Sequence, residues 1–260
     1  MRNEKDFLEV LEYCEQNLYL GDGNPEASIL IVGKEISCKE DDIIKKSNGQ
    51  GLEVGIKKLS LETAKGNVEK WQNGYPRDEI KTYAFKEKRN PTWTNYQKLV
   101  GAIIGKNLGK DNYNFLDHCF ITELSQILLP KSNFLKDKHL NDSIRFESIK
   151  ERETLLSMNF FKFPIVIMAC GHYPTLDLQK DYGYEFNIQK NFSVKFIEPT
   201  KVIHSEEKKY PACWYNVHYN EDYEIVGKNR IVIHTRQLSR IFNPELLSEI
   251  AKECREFYVN

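Results

Sequence analysis

The stretch Ala27-Ser28-Ile29-Leu30-Ile31-Val32-Gly33 decides the fold of this chain. Its short aliphatic run ending in glycine is typical of a buried strand in a parallel sheet. Three similar runs follow it, and helical periodicity marks four segments around them. The runs are 117–122, 163–171 and 230–234, and the helical segments are 5–18, 92–104, 142–160 and 243–258. Because strands and helices alternate, we predict a three-layer α/β/α sandwich with a central, mostly parallel sheet.

The chain of 260 residues is long enough to form one large domain with a substantial core. We interpret residues 1–260 as a single domain of this kind. The polar, glycine-containing segment 36–80 interrupts the strand–helix pattern, and we interpret it as an insertion with one or two short helices. Residues 183–226 alternate apolar and polar side chains, which predicts a hairpin-rich segment.

The composition narrows the class of protein. Hydrophobic residues make up 40% and the net charge is −1, so any contact with nucleic acid must come from local basic groups. The six cysteines include no Cys-x-x-Cys pair, which disfavours a zinc ribbon or an iron–sulfur cluster. We predict no metal site and no other cofactor. No apolar run is long enough for a membrane span, and the first residues predict an amphipathic helix instead of a secretion signal. We expect a cytoplasmic protein with no membrane partner.

Three polar residues lie at the end of a predicted strand or just after it: Glu35, Glu123 and His234. Because the carboxyl ends of parallel strands share one edge of a sheet, we expect these side chains to meet in one site. Two carboxylates and an imidazole are suited to acid–base chemistry or to stabilising charge. Each residue also has a structural interpretation. Glu35 can cap a helix, Glu123 can pair with a lysine or arginine, and His234 can be a satisfied structural histidine.

Four segments, taken in order, resemble the motifs of the uracil-DNA glycosylase superfamily over residues 27–242. The family has Gly-x-Asp-Pro or Gly-x-Asn-Pro after its first strand, and its last motif is His-Pro-Ser-Pro-Leu-Ser. Here Glu35 stands where the family has its water-activating residue, no proline follows it, and Glu123 replaces a base-reading Asn. The matching segments are Gly33-Lys34-Glu35-Ile36, Asn90-Pro91-Thr92-Trp93-Thr94-Asn95, Phe120-Ile121-Thr122-Glu123 and His234-Thr235-Arg236-Gln237-Leu238-Ser239.

The resemblance implies a role for each matching residue. Glu35 and His234 would be catalytic, the first beside the sugar and the second as a donor to the departing base. Gly33 and Glu123 would contact the base, and Tyr83 or Phe85 would stack on it. The implied DNA contacts are the wedge Leu238 and the positions Ser239, Arg236, Arg240, Pro91, Thr92 and Asn95.

The implied function is that of a DNA glycosylase, which flips a nucleobase out of single- or double-stranded DNA and hydrolyses its N-glycosidic bond. An ionised Glu123 only accepts hydrogen bonds, so the expected base carries an amino group and is a modified cytosine or another amino-bearing base. Two alternatives remain open. One is a catalytically inactive relative that binds nucleic acid or a nucleotide, and the other is an enzyme acting on a free nucleotide or nucleoside. A pure scaffold has no need for polar clusters after three strands.

Overall fold

The computed structural model describes residues 4–73, 91–109, 114–131, 133–175, 186–204, 212–220, 229–239 and 243–258. Within these ranges the helices are α1 (Glu4–Cys14), α2 (Glu40–Ser47), α3 (Leu52–Gln72), α4 (Pro91–Ile104), α5 (Lys138–Ser157), α6 (Ile188–Phe192) and α7 (Glu245–Cys254). The strands are β1 (Asp22–Gly23), β2 (Ile29–Ser37), β3 (Cys119–Leu129), β4 (Ile165–Met168), β5 (Phe196–Ile197), β6 (Lys201–Ile203), β7 (Cys213–Tyr219) and β8 (Ile231–Thr235).

All eight strands belong to one sheet. Seven follow the order β1-β3-β2-β4-β8-β7-β5, and β6 pairs with β7. The four central strands, β3, β2, β4 and β8, are parallel to one another, whereas β1 and the β5–β7 group are antiparallel additions at the two edges. The carboxyl ends of β2, β4 and β8 therefore lie side by side.

Helices cover both faces of the sheet. Alternate residues of β2 enter two separate cores: Ile29 and Ile31 pack with α4 and α7, and Leu30 and Val32 pack with α1, α3 and α5. Burial on both faces explains why Ile29–Val32, Ile165–Met168 and Ile231–Ile233 are apolar at every position. The predicted three-layer α/β/α sandwich with a mostly parallel central sheet is confirmed.

Two central strands are longer than predicted. β2 continues past Gly33 to Ser37, and β3 starts at Cys119 and runs to Leu129. The expected strand ends at Gly33 and Thr122 are therefore wrong. Gly33 is paired with Glu123, so these two residues face each other within the sheet and not beyond it.

The segment predicted as an insertion contributes to a main layer of the fold. Its first residues complete β2, and it then forms α2 and the 21-residue α3. Helix α3 packs against β3 and buries Ile56, Ala64 and Val68, so it is neither short nor peripheral. The last part of the segment, 74–80, lies outside the described residues.

The alternating pattern after residue 183 gives antiparallel strands, as predicted. β5 and β6 both pair with β7, and β7 pairs with β8. The same segment also contains the short helix α6, which the alternation did not predict. None of the helices in the described ranges combines the length and the apolar character needed to cross a bilayer.

Candidate functional site

Glu35 lies within β2 and is held by two donors. The Tyr173 hydroxyl donates a hydrogen bond to Oε2 of Glu35 at 2.7 Å, and Nε of Arg145 donates to the same oxygen at 3.1 Å. The carboxylate and the guanidinium are both nearly buried, with 7% and 5% of their side chains exposed. Glu35 is therefore not a helix cap. It is an oriented carboxylate in a buried ion pair.

Charged side chains from two elements, β2 and α5, lie around the Tyr173 ring. The Lys34 ammonium lies 4.1 Å from the ring centre, and the Arg145 guanidinium carbon lies 5.4 Å from it. Burial lowers the pKa of Lys34, while the Glu35 carboxylate opposes that shift. Asp142 lies 3.5 Å from Nη1 of Arg145. Two cations and two carboxylates thus form a compact, charge-balanced group at the end of β2.

Glu123 extends from β3 over the backbone of Gly33. A Cβ atom on Gly33 would lie 2.2 Å from Oε2 of Glu123, so only glycine leaves room for this carboxyl group. That oxygen is buried and has no hydrogen-bond partner among the described residues. Burial raises the pKa of Glu123 to about 8, and the Glu35 and Asp22 carboxylates add to the shift against the opposing Arg152.

This shift corrects the expectation that Glu123 only accepts hydrogen bonds. With a pKa near 8 the carboxyl group is mostly protonated at neutral pH, so it offers one donor and one acceptor. The expected pairing of Glu123 with a basic side chain is also absent from the described hydrogen bonds. The fully buried Arg152 uses Nε to donate to the Glu123 backbone oxygen at 3.0 Å and Nη2 to donate to Oγ1 of Thr122 at 2.9 Å.

His234 occupies the carboxyl end of β8 and is only 2% exposed. Its Nε2 lies 2.6 Å from the backbone oxygen of Gly171, which can only accept, so Nε2 carries the proton. Burial lowers the pKa of His234 to about 4, with His172 adding to the shift and the Gly171 bond opposing it. The imidazole is therefore neutral at physiological pH, and its Nε2–H is already committed to Gly171.

One short loop joins the two predicted catalytic residues. The backbone of Gly171 bonds to His234, and two residues later the Tyr173 hydroxyl bonds to Glu35. The Glu35 charge also contributes to the raised pKa of Glu123. The loop thus connects Glu35 with His234, but it does not bring all three residues together. Glu123 lies on the face of the sheet that carries Ile31 and Ile121, whereas His234 lies on the opposite face with Val32 and Met168.

Two predicted DNA contacts are buried instead. Nδ2 of Asn95, on α4, donates to the Leu238 backbone oxygen at 3.1 Å, which joins two of the resembling motifs. Leu238 has no exposed surface and packs in the core with α4 and α7. It cannot enter a DNA duplex in this conformation, so the expected wedge role is not supported. Asn95, which is 6% exposed, holds the segment after β8 in place.

The other predicted positions are more accessible. Pro91 is exposed and Thr92 is half-buried at the start of α4, and both Arg236 and Ser239 are half-buried after β8. Nη1 of Arg236 lies 3.7 Å from Sγ of Cys213. The remaining predicted positions, Tyr83, Phe85 and Arg240, lie outside the described residues.

Sequence reasoning missed the residues that support Glu35. Arg145 and Arg152 are seven residues apart on α5, the same spacing that places Ile149 and Leu156 on one face. That spacing could have indicated that both arginines are buried. Tyr173 gave a weaker signal, because it follows the strand-ending Gly171 by two residues. Nothing in its loop, Gly171-His172-Tyr173-Pro174-Thr175, indicates a bond to β2.

Comparison with known proteins gives no further assignment. No protein-family model matches this chain. No curated protein and no solved structure matches it either. In the described part of the chain, no group of three or more His, Cys, Asp or Glu side chains has an arrangement that can hold a metal ion.

Proposed function

We propose that this chain is a divergent member of the uracil-DNA glycosylase superfamily that flips a nucleobase and hydrolyses its N-glycosidic bond. The observation that carries the proposal is the loop at 171–173. It bonds at one end to His234 and at the other to Glu35, residues that the resemblance pairs as catalytic and that lie 199 positions apart in the chain. A second bond, from Asn95 to Leu238, joins two more of the resembling segments.

The chemistry requires a carboxylate near the sugar. Water adds to the anomeric carbon as the bond from that carbon to the base nitrogen breaks, and the base departs with the bonding electrons and takes up a proton. Glu35, fixed by Tyr173 and Arg145, would orient the water and accept its proton. A neutral His234 adds no charge to the site, and its ring would assist the departing base once the Gly171 bond is exchanged.

Glu123 supplies the recognition of the base. As a neutral acid its hydroxyl can donate to a ring nitrogen while its carbonyl oxygen accepts from an adjacent exocyclic amine. That pattern matches the N3 and N4 edge of cytosine and the N1 and N6 edge of adenine. It supports an amino-bearing or modified base as the target, and cleavage of uracil in preference to every amino-bearing base would count against this choice.

The Arg145 ion pair favours a second candidate function. Because the Arg145 guanidinium already neutralises the Glu35 charge, the carboxylate is a weaker partner for a developing sugar cation than a free carboxylate. A relative that binds a nucleobase in nucleic acid or in a nucleotide without cleaving it would tolerate this arrangement.

An abasic-site assay separates the two functions. Single- and double-stranded oligonucleotides would carry uracil, hypoxanthine, mismatched thymine and several modified cytosines. Abasic sites at one base, lost in Glu35→Gln and reduced in Tyr173→Phe, are the expected result, with Glu9→Gln as the exposed control. Thermal unfolding of each variant identifies any loss that is due to misfolding. Cleavage of none of these bases would overturn the proposal, and DNA binding retained in that case would support the non-cleaving candidate.

A further inference from the structure

The order of the strands makes the carboxyl ends of β2 and β4 a topological switch point. The chain leaves β2 for β3 on one side of this pair, and it leaves β4 for β5–β8 on the other side. In open α/β sheets, the loops after two such strands diverge and ligands bind between them. β4 ends at Met168, which pairs with Val32, whereas β2 continues to Ser37. Residues of β2 beyond Val32 therefore border the switch point.

Lys34 and Glu35 lie there and both contact Tyr173, which comes from the loop after β4. The Lys34 nitrogen lies 4.1 Å from the centre of the Tyr173 ring, and the Tyr173 hydroxyl donates to Oε2 of Glu35 at 2.7 Å. Because a cation is attracted to an aromatic face, the ring holds the end of the Lys34 side chain in place. Lys34 is half-buried and so remains in contact with solvent, in contrast to Ile29–Val32, which have no exposed surface.

The surroundings of Lys34 favour its uncharged form more than bulk water does. Burial lowers the pKa of Lys34, and the Arg145 guanidinium adds to that shift, whereas the Glu35 carboxylate and Cys170 oppose it. Only an uncharged amine has the lone pair that attacks a carbonyl carbon. Lysines that are partly desolvated, or that lie next to another cation, are the usual amine nucleophiles of enzymes. Glu35 and the Tyr173 hydroxyl are next to this amine as groups that can exchange protons.

We propose that Lys34 forms an imine with the aldehyde of an abasic deoxyribose. This role rests on the proposed function, because hydrolysis of the N-glycosidic bond leaves a sugar whose open-chain form carries an aldehyde at C1′. The lone pair of Nζ bonds to C1′, and a proton passes from the nitrogen to the carbonyl oxygen. The resulting hydroxyl then leaves with the second nitrogen proton as water, and a carbon–nitrogen double bond remains. Addition of water reverses the step, so the chain holds its product and later releases it.

Reductive trapping tests this step. The full chain would be mixed with single- and double-stranded oligonucleotides that already contain an abasic site, and sodium cyanoborohydride would reduce any imine to a stable secondary amine. We expect a covalent protein–DNA complex on a denaturing gel, with the adduct located at Lys34 by mass spectrometry of the digested chain. Lys34→Arg keeps a cation beside Tyr173 but has no amine that forms an imine, so the adduct should be lost. Lys39→Arg, at an exposed position just before α2, is the matched control and should keep it.

The preformed abasic site separates this role of Lys34 from the proposed hydrolysis. An adduct at Lys34 in a chain that releases no base supports the imine on its own, and release of a base without an adduct at Lys34 overturns the imine alone. Adducts spread over exposed lysines such as Lys39, or a full yield of adduct in Lys34→Arg, would show general reaction at accessible amines and would also overturn it. The position of the adduct in the parent chain decides the question even if Lys34→Arg fails to fold.

Discussion

At the scale of single residues, the ion pair between Glu35 and Arg145 dominates the site. Both groups are buried, so removal of one leaves the other charged in a medium of low polarity. Arg145→Met should therefore cost about 3–5 kcal/mol of unfolding free energy, measured by denaturant titration. The double variant Arg145→Met with Glu35→Leu should recover most of that loss, because it replaces the pair with apolar side chains.

Two exposed ion pairs that share Lys57 provide the control for this prediction. Lys57 bridges Glu53 and Glu147, and all three side chains are well exposed. Lys57→Met should cost less than about 1 kcal/mol because solvent screens exposed pairs. If Arg145→Met were as mild as Lys57→Met, the buried pair would not be a major constraint on Glu35.

Glu123 should give the protein an unusual dependence on pH. Its folded-state pKa is raised to about 8, so between about pH 4.5 and pH 8 the unfolded chain loses a proton that the folded chain keeps. Stability from this group is full below pH 4.5 and falls as the pH rises through that window, by at most about 1.4 kcal/mol per unit. Glu123→Gln should remove this decline, and its advantage over the parent chain should grow from pH 5 to pH 8.

Thermal unfolding across that pH range measures the effect. Glu9→Gln, at an exposed position on α1, controls for the loss of a carboxylate as such. His218 and His234 act in the opposite direction, since their lowered pKa values cost stability as the pH falls from about 6.5 towards 4. A constant difference between Glu123→Gln and the parent chain from pH 5 to pH 8 would contradict the raised pKa.

At the scale of elements, the sequence reveals the start of each central strand but not where β2 and β3 end. A glycine and a charged residue usually terminate an apolar run, so Gly33 and Glu123 suggested two strand ends. In the fold they face each other, and the missing Cβ of Gly33 provides the space for the Glu123 carboxyl group. Neither residue alone signals this arrangement, because the compensation exists only once the two strands pair.

The burial of two arginines on α5 likewise depends on segments that are distant in the sequence. Arg145 and Arg152 are buried because β2 and β3 supply their acceptors. By contrast, the helical segment predicted at 92–104 is confirmed as α4, and its first residue Pro91 is of a type that favours the first helical position. Features set by neighbouring residues could be predicted, and features that depend on two distant segments could not.

The bond between Asn95 and Leu238 links α4 to the segment after β8. Asn95→Ala would leave the buried Leu238 carbonyl without this donor, which should lower the unfolding free energy by about 1–3 kcal/mol. Hydrogen exchange of the 236–239 amides should speed up as the segment loosens. Lys98→Ala, at an exposed site on the same helix, is the control. Unchanged exchange in Asn95→Ala would show that the core packing of Leu238 is sufficient.

At the scale of the whole molecule, the near-zero net charge makes salt dependence informative. A chain with net charge −1 has no general attraction for DNA, so binding must rely on a few local cations. Each phosphate neutralised on a single strand contributes about −0.7 to the slope of log affinity against log salt concentration. A protein that flips a base from DNA should therefore show a slope of about −2 or steeper.

A substitution of Arg236 tests which cations produce the salt dependence of DNA binding. It is half-buried after β8, next to the predicted catalytic edge, and it is one of the implied phosphate contacts. Arg236→Gln should make the slope shallower by about 0.7 while leaving the affinity for a free base unchanged. Lys5→Gln, on the exposed side of α1, should leave the slope as it is. A flat slope in the parent chain would mean that few phosphates are bound, and the substrate would then be a free nucleotide or base, recognised through Glu123.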